Sequence, residues 1–207
     1  SMGGLAYAKA PTPRVGAVSS SGKMMAMTYV PEQQGGGFST VETNGSIESV
    51  GVGAEGEEDS CYVEVLRTIG GEPVRFVERM SERQYSELKE CVYVDCAGTY
   101  RGEAKKEITG LTWLEGETVS ILADGAVEPP QAVKDGKCTL TYPAKVVQVG
   151  LPFMADMKTL PAAMALQDGS YGSGHKKNVR EVFFRVVNSS GTQAGPSFDK
   201  LSEYPSR

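Results

Sequence analysis

Apolar and polar residues alternate with a period of two along most of the chain, in short runs broken by Gly beside Asn, Asp or Ser. That pattern predicts strands joined by tight turns. Arg14 to Val18 and Met24 to Tyr29 read as strands linked by Ser19-Ser20-Ser21-Gly22. Phe38 to Thr43 and Ser46 to Val52 flank Asn44-Gly45, where both residues tolerate positive φ, so a hairpin is expected. After an acidic loop, Glu55 to Asp59, the runs Cys61 to Thr68 and Pro73 to Glu78 form a second hairpin around Gly70-Gly71. This spacing suits meandering antiparallel sheets or propeller blades.

The pattern shifts further along. Ser81 to Glu90 is the first stretch with helical character, opened by a capping Ser81, and Cys91 to Asp95 returns to strand. From Ile108 to Gly150 short strands crowd together. Glu117 to Ala123 alternates, Asp124-Gly125 and Asp135-Gly136 turn, and Cys138 to Tyr142 and Lys145 to Val149 close a compact barrel-like insert. Met157 to Leu166 has room for a helical turn or two, interrupted by Pro161. A Gly-Ser segment, Asp168 to Gly174, precedes the longest strand candidate, Val179 to Asn188, and a polar tail from Ser189. The expected fold is all-β: antiparallel sheets resembling partial propeller blades, an inserted small β-barrel and little helix. The expected division is a blade-like domain over 1–107, the barrel over 108–155, and a connector with a returning strand and polar tail over 156–207.

Composition narrows the chemistry. The 207 residues include 25 Gly and 11 Pro, which disfavours long helices. A net charge of −5 argues against a coat for nucleic acid or an anionic membrane. No apolar run approaches the roughly 20 residues of a membrane helix. With one histidine, His175, no His cluster can hold a metal. Cys61, Cys91, Cys96 and Cys138 contain no C-x-x-C pair, so zinc-ribbon spacing is absent and free, mostly buried thiols are expected. Cys91 and Cys96 are close enough in sequence to bridge a short loop.

No segment reads as an active site. Gly16 to Lys23 mimics a phosphate loop but has five residues where the motif needs four, and Met24 replaces the magnesium-binding Ser or Thr. Gly35 to Gly37 lacks the strand-to-helix setting of a dinucleotide fingerprint. The stretch Gly169 to His175 places serines near the histidine without the G-x-S-x-G elbow, and Lys176, Lys177 and Arg180 follow as a small basic cluster. The acidic loop at 55–59 lacks the spaced ligands of a Ca²⁺ site. Glu103 with Glu107, or Asp95 with Glu103, are the carboxylate pairs a glycosidase would need. Trp113, the single tryptophan, reads as a core plug; exposed, it would be a sugar or partner contact. Catalytic, cofactor and metal residues are therefore not assigned.

Several segments in order resemble one family. Residues 109–125 (TGLTWLEGETVSILADG) resemble a signature of tail proteins of tailed phages and prophages. They are followed by 147–153 (VQVGLPF), 158–161 (KTLP) and 174–178 (GHKKN), and preceded by 25–33 (MAMTYVPEQ), 43–50 (TNGSIESV), 67–79 (RTIGGEPVRFVER) and 93–95 (YVD). The family is similar to nozzle, or tail tubular B, proteins, and its LEGETVSILADG region sometimes carries a label taken from a ubiquitin-activating enzyme domain (FCCH-like). No catalytic cysteine context accompanies that label here. Gly35 to Gly37 depart from the bulkier residues of the family. The opening Ser1-Met2 reads as a tag remnant, and the chain as a central piece of a longer protein.

The resemblance implies a non-enzymatic virion component, assembled in the bacterial cytoplasm. It would be a homo-oligomeric ring subunit that contacts itself and neighbouring tail proteins, with no membrane partner and with DNA only as transiting cargo. Acidic balance suits a conduit to which DNA does not stick. The alternative is a carbohydrate-binding or adhesion module that stacks sugars on Trp113 and exposed tyrosines; a glycosidase ranks third.

Overall fold

The computed structural model describes residues 2–11, 13–30, 35–81, 85–159, 178–186 and 191–203. The chain divides into two compact units, Ser1–Ala155 and Asp156–Arg207. The protein is all-β and antiparallel. Among the described residues the only helical structure is a pair of three-residue 3-10 turns, Leu88–Glu90 and Thr112–Leu114.

The first unit holds three sheets. A four-stranded meander comprises β1 (Met2–Ala8), β2 (Arg14–Ser19), β3 (Met24–Val30) and β4 (Gly35–Val41), in the order β1-β2-β3-β4. The second sheet, β5-β6-β7, is built from β5 (Ser46–Glu55), β6 (Glu58–Ile69) and β7 (Glu72–Arg79). The third combines β8 (Asp95–Thr109), β9 (Thr118–Ala123), β10 (Ala126–Ala132) and β11 (Lys137–Leu151) in the order β10-β9-β11-β8. The second unit contributes a two-residue pair, β12 (Gln193–Ala194) with β13 (Ser202–Glu203).

Where a turn dipeptide permits left-handed backbone, the expected hairpins form. Gly70-Gly71 joins β6 to β7, and Asp124-Gly125 joins β9 to β10, each with both central residues at positive φ as a type I′ turn requires. The acidic stretch is a hairpin too: Gly56-Glu57 closes β5 onto β6, with Glu55 opposite Glu58.

Asn44-Gly45 behaves otherwise. β4 and β5 belong to different sheets, so this dipeptide is a crossing and not a hairpin. The Arg67 guanidinium donates to the Asn44 carbonyl at 2.7 Å, and a Cβ on Gly45 would stand 2.7 Å from the Leu66 carbonyl oxygen. The crossing is pressed onto β6, and tertiary contacts override the local turn preference.

Further expectations are corrected. The helix over Ser81 to Glu90 is reduced in its described part to the turn Leu88–Glu90, because ten residues without a packed apolar stripe do not sustain a helix. Cys91 to Asp95 is not a strand, since β8 begins only at Asp95. The runs 138–142 and 145–149 are one continuous strand, β11. Val179 to Asn188 forms no strand over 179–186, and the rest of that segment lies outside the described residues, as do residues 160–166 and the Gly-Ser segment 168–174. β8 also runs through position 107/108, so the third sheet takes its first strand from the region assigned to the blade-like domain.

The inserted β-barrel is not closed either. β8 and β10 are the two edges of an open sheet. Pro129 and Pro130 lie within β10 and have no N–H for a ladder, and the register shifts between Glu128 and Gln131. Side chains instead tie β10 to the first half of β11. Gln131 exchanges hydrogen bonds with the Thr139 backbone at 2.9 and 3.0 Å, and Glu128 accepts from the Thr141 N–H and hydroxyl at 2.8 and 2.7 Å.

Packing is unequal. The third sheet surrounds the larger core, with Leu114, Val119, Val133, Val147 and Val149 almost wholly buried. A smaller core, Val18, Met24, Ile47, Val63 and Val65, joins the first sheet to the second. Between them, β6 carries Arg67 in the same alternate row as Val65 and Ile69. Its buried guanidinium donates to both carboxylate oxygens of Glu78 on β7, at 2.6 and 2.7 Å.

Candidate functional site

Cross-strand register places each residue of the first sheet on one of two faces. One row contains Leu5, Ala17, Met25 and Thr40, and the next Tyr7, Val15, Met27 and Phe38. Tyr29 continues the face opposite Gly36. The other face carries Val18 and Met24, buried in the smaller core. The first face is therefore the outer one, and it is apolar: Leu5 is 69% exposed, Phe38 72% and Tyr7 57%. No charged residue occupies it within the four strands. Four strands about 4.8 Å apart and about 20 Å long present roughly 400 Å² in projection. Contiguous apolar patches of that size on a monomer commonly mark an interaction site.

The edge of the same sheet is equally bare. Natural edge strands are usually guarded by charge, proline or a bulge. β4 (GGGFSTV) has none of the three, and its register against β3 is unbroken. Just beyond the C-terminal end of β4, Glu42 is tied to Lys23 at 2.7 Å. Other edges differ: β1, uncharged too, has a register shift between Met2 and Gly4, β7 carries Glu72, Pro73, Arg75 and Glu78, and β8 carries Arg101, Glu103, Lys105, Lys106 and Glu107.

The candidate chemical sites do not assemble. Gly16 to Lys23 is the β2–β3 hairpin, closed by Ser19 N–H to the Lys23 carbonyl at 2.8 Å, and Gly35 to Gly37 lies inside β4. Residues 169–175, including His175, and Lys176 and Lys177 lie outside the described residues; Arg180 is exposed. In the acidic stretch, Glu55 accepts from Ser60 and Arg79 at 2.9 Å each and from the Tyr62 hydroxyl, which holds its carboxyl below the usual range. Asp59 is likewise held down by the backbone N–H groups of Lys9 and Ala10. Both carboxylates are engaged within the protein, and no group of three His, Cys, Asp or Glu is placed to hold a metal ion among the described residues.

Asp95, Glu103 and Glu107 are strung along β8, so Glu103 and Glu107 are about 14 Å apart and Asp95 and Glu103 about 27 Å. A glycosidase needs roughly 5–10 Å. Asp95 instead accepts from the Thr43 hydroxyl at 2.5 Å, and Glu107 pairs with Lys137 at 3.3 Å. The Trp113 ring packs half-buried on the larger core, so close to Gly98 that a Cβ there would meet it at 2.9 Å. All four cysteines are free thiols. Burial pushes Cys96 up to about 12 and Cys138 up to about 11, so neither is a thiolate at neutral pH. No helix among the described residues is long and apolar enough to cross a membrane.

Two features escaped the sequence reading. The outer apolar face was visible as Met25, Met27 and Tyr29 alternating with buried Met24 and half-buried Ala26, a strand apolar on both sides. Arg67 was visible as a cation in the apolar row of β6. No protein-family model and no curated protein sequence matches the chain.

Proposed function

We propose that the chain is a structural subunit of a phage or prophage tail, a nozzle-like ring component acting in virion assembly and DNA passage. Such a protein works through surfaces, and the observation that carries the reading is the first sheet, whose outer face is apolar and whose β4 edge is unguarded. The ordered motifs between residues 25 and 178 that resemble tail proteins point the same way. Immunogold electron microscopy of induced phage particles, with antibody raised to this chain, tests it. Gold at the tail is the expected result. Gold absent from intact and disrupted particles, with the protein free in the cell, overturns it.

A carbohydrate-binding or adhesion module is the second reading, favoured by Tyr7 and Tyr29 exposed on one face. Trp113, packed on the core, is unsuited to the stacking role. Glycan binding lost on Tyr29→Ala would support this reading over the first.

A further inference from the structure

We propose that the outer edge of β4 pairs antiparallel with β4 of a second copy, merging two four-stranded sheets into one of eight strands. Such a pair is a closed two-fold contact, separate from the head-to-tail contacts that a ring subunit needs; it goes beyond the tail reading, which supplies only its biological setting. An edge strand offers a row of backbone donors and acceptors to any compatible strand. Among the described residues nothing pairs with the outer side of β4.

The sequence of β4 is complementary to itself. Centring the pair on Phe38 sets Gly35 opposite Val41, Gly36 opposite Thr40 and Gly37 opposite Ser39. The half of the strand with no side chains thus faces the half that has them. Phe38 meets Phe38 of the partner copy as a directly opposed aromatic pair on the outer face, the kind of cross-strand contact that stabilises sheets. Tyr29 and Met27 on β3 then lie beside the seam in both copies.

Charge permits this site, and the other uncharged edge of the sheet, β1, is broken in register between Met2 and Gly4. Two copies each carrying −5 repel wherever their acidic surfaces meet, but β3 and β4 contain no ionisable group apart from Tyr29. The contact is small. Seven residues span about 24 Å, and an interface of that extent falls in the weak class below about 1,200 Å². A reversible, concentration-dependent pair is therefore expected.

Sedimentation velocity of the purified chain over a wide concentration range should show a monomer–dimer equilibrium. Placing cations on the edge with Thr40→Lys and Ser39→Lys, both exposed positions, should weaken it at least tenfold while leaving the circular dichroism spectrum unchanged. Phe38→Cys should cross-link to itself under copper–phenanthroline in air, because opposed strand residues lie within disulfide reach. Val77→Cys, equally exposed on β7, should not. A monomer at every concentration overturns the pairing, as does a dimer indifferent to the lysines or equal cross-linking at both cysteines. Absence of gold from virions while the β4-dependent pair persists overturns the tail reading alone.

Discussion

The first and third sheets have four antiparallel strands each, yet they treat water in opposite ways. The third sheet buries its inner face in a core of fifteen residues and protects its edges, β8 with charges and β10 with Glu128, Pro129 and Pro130. The first supplies Val18 and Met24 to a shared core of five, exposes Leu5, Tyr7 and Phe38 outward, and leaves β4 bare. Burial gives one sheet its stability, whereas exposed apolar area gives the other a reason to associate. The second sheet links them along β6, where Val63 and Val65 belong to the smaller core, Ile69 belongs to the larger, and Arg67 sits between.

The largest stability effect is expected at that link. Arg67→Ala leaves Glu78 without its partner in a half-buried setting and releases the Asn44 carbonyl, costing about 3–5 kcal/mol. Urea unfolding checks this, and a loss below about 1 kcal/mol would mean the sheets are not joined there. Next, Leu114→Ala, in the core of the third sheet, should cost about 2–5 kcal/mol. Phe38→Ala on the outer face should stay within about 0.5 kcal/mol for the monomer. Equal losses at the two positions would erase the contrast between the sheets.

Smaller effects follow from titration. The backbone N–H groups of Val146 and Lys145 hold Asp124 below the usual carboxylate range, and those of Lys9 and Ala10 do the same for Asp59. The folded state then binds fewer protons than the unfolded one near pH 4, so stability is present above the ordinary carboxylate pKa of about 3.9 and declines as pH falls through the depressed folded values. Asp59→Asn and Asp124→Asn should each flatten the acid limb of a pH-dependent melting curve; an unchanged limb would assign acid unfolding to other carboxylates. Smallest of all, Ellman's reagent at pH 8 should label Cys61 slowly and ahead of the buried Cys91, Cys96 and Cys138, with all four reacting once the chain is unfolded. Prompt labelling of Cys138 in the native chain would show that the larger core opens.

Local signals were legible where local physics decides. Gly70-Gly71 and Asp124-Gly125 turn as their sequences require, and the period-two runs from Arg14 to Glu78 are strands. Partner choice was not legible. Asn44-Gly45 carries the strongest hairpin signal in the chain, yet Arg67, twenty-three residues away, draws it into a crossing between sheets. The open side of the third sheet has a cause present in the sequence, since Pro129 and Pro130 in β10 cannot donate to a ladder, although which strand lies beside them is not written in the local pattern. The candidate surface left its trace in Met25, Met27 and Tyr29, although which face of β3 is covered depends on β5, in another sheet.

Hydrogen exchange at two protein concentrations, read by mass spectrometry over residues 35–41, tests the central claim most directly. Self-association through the bare edge predicts that β4 amides gain protection as concentration rises, while β8 and β11 exchange unchanged. Equal exchange of β4 at both concentrations, in a sample that sediments partly as dimer, would contradict it and place the contact elsewhere.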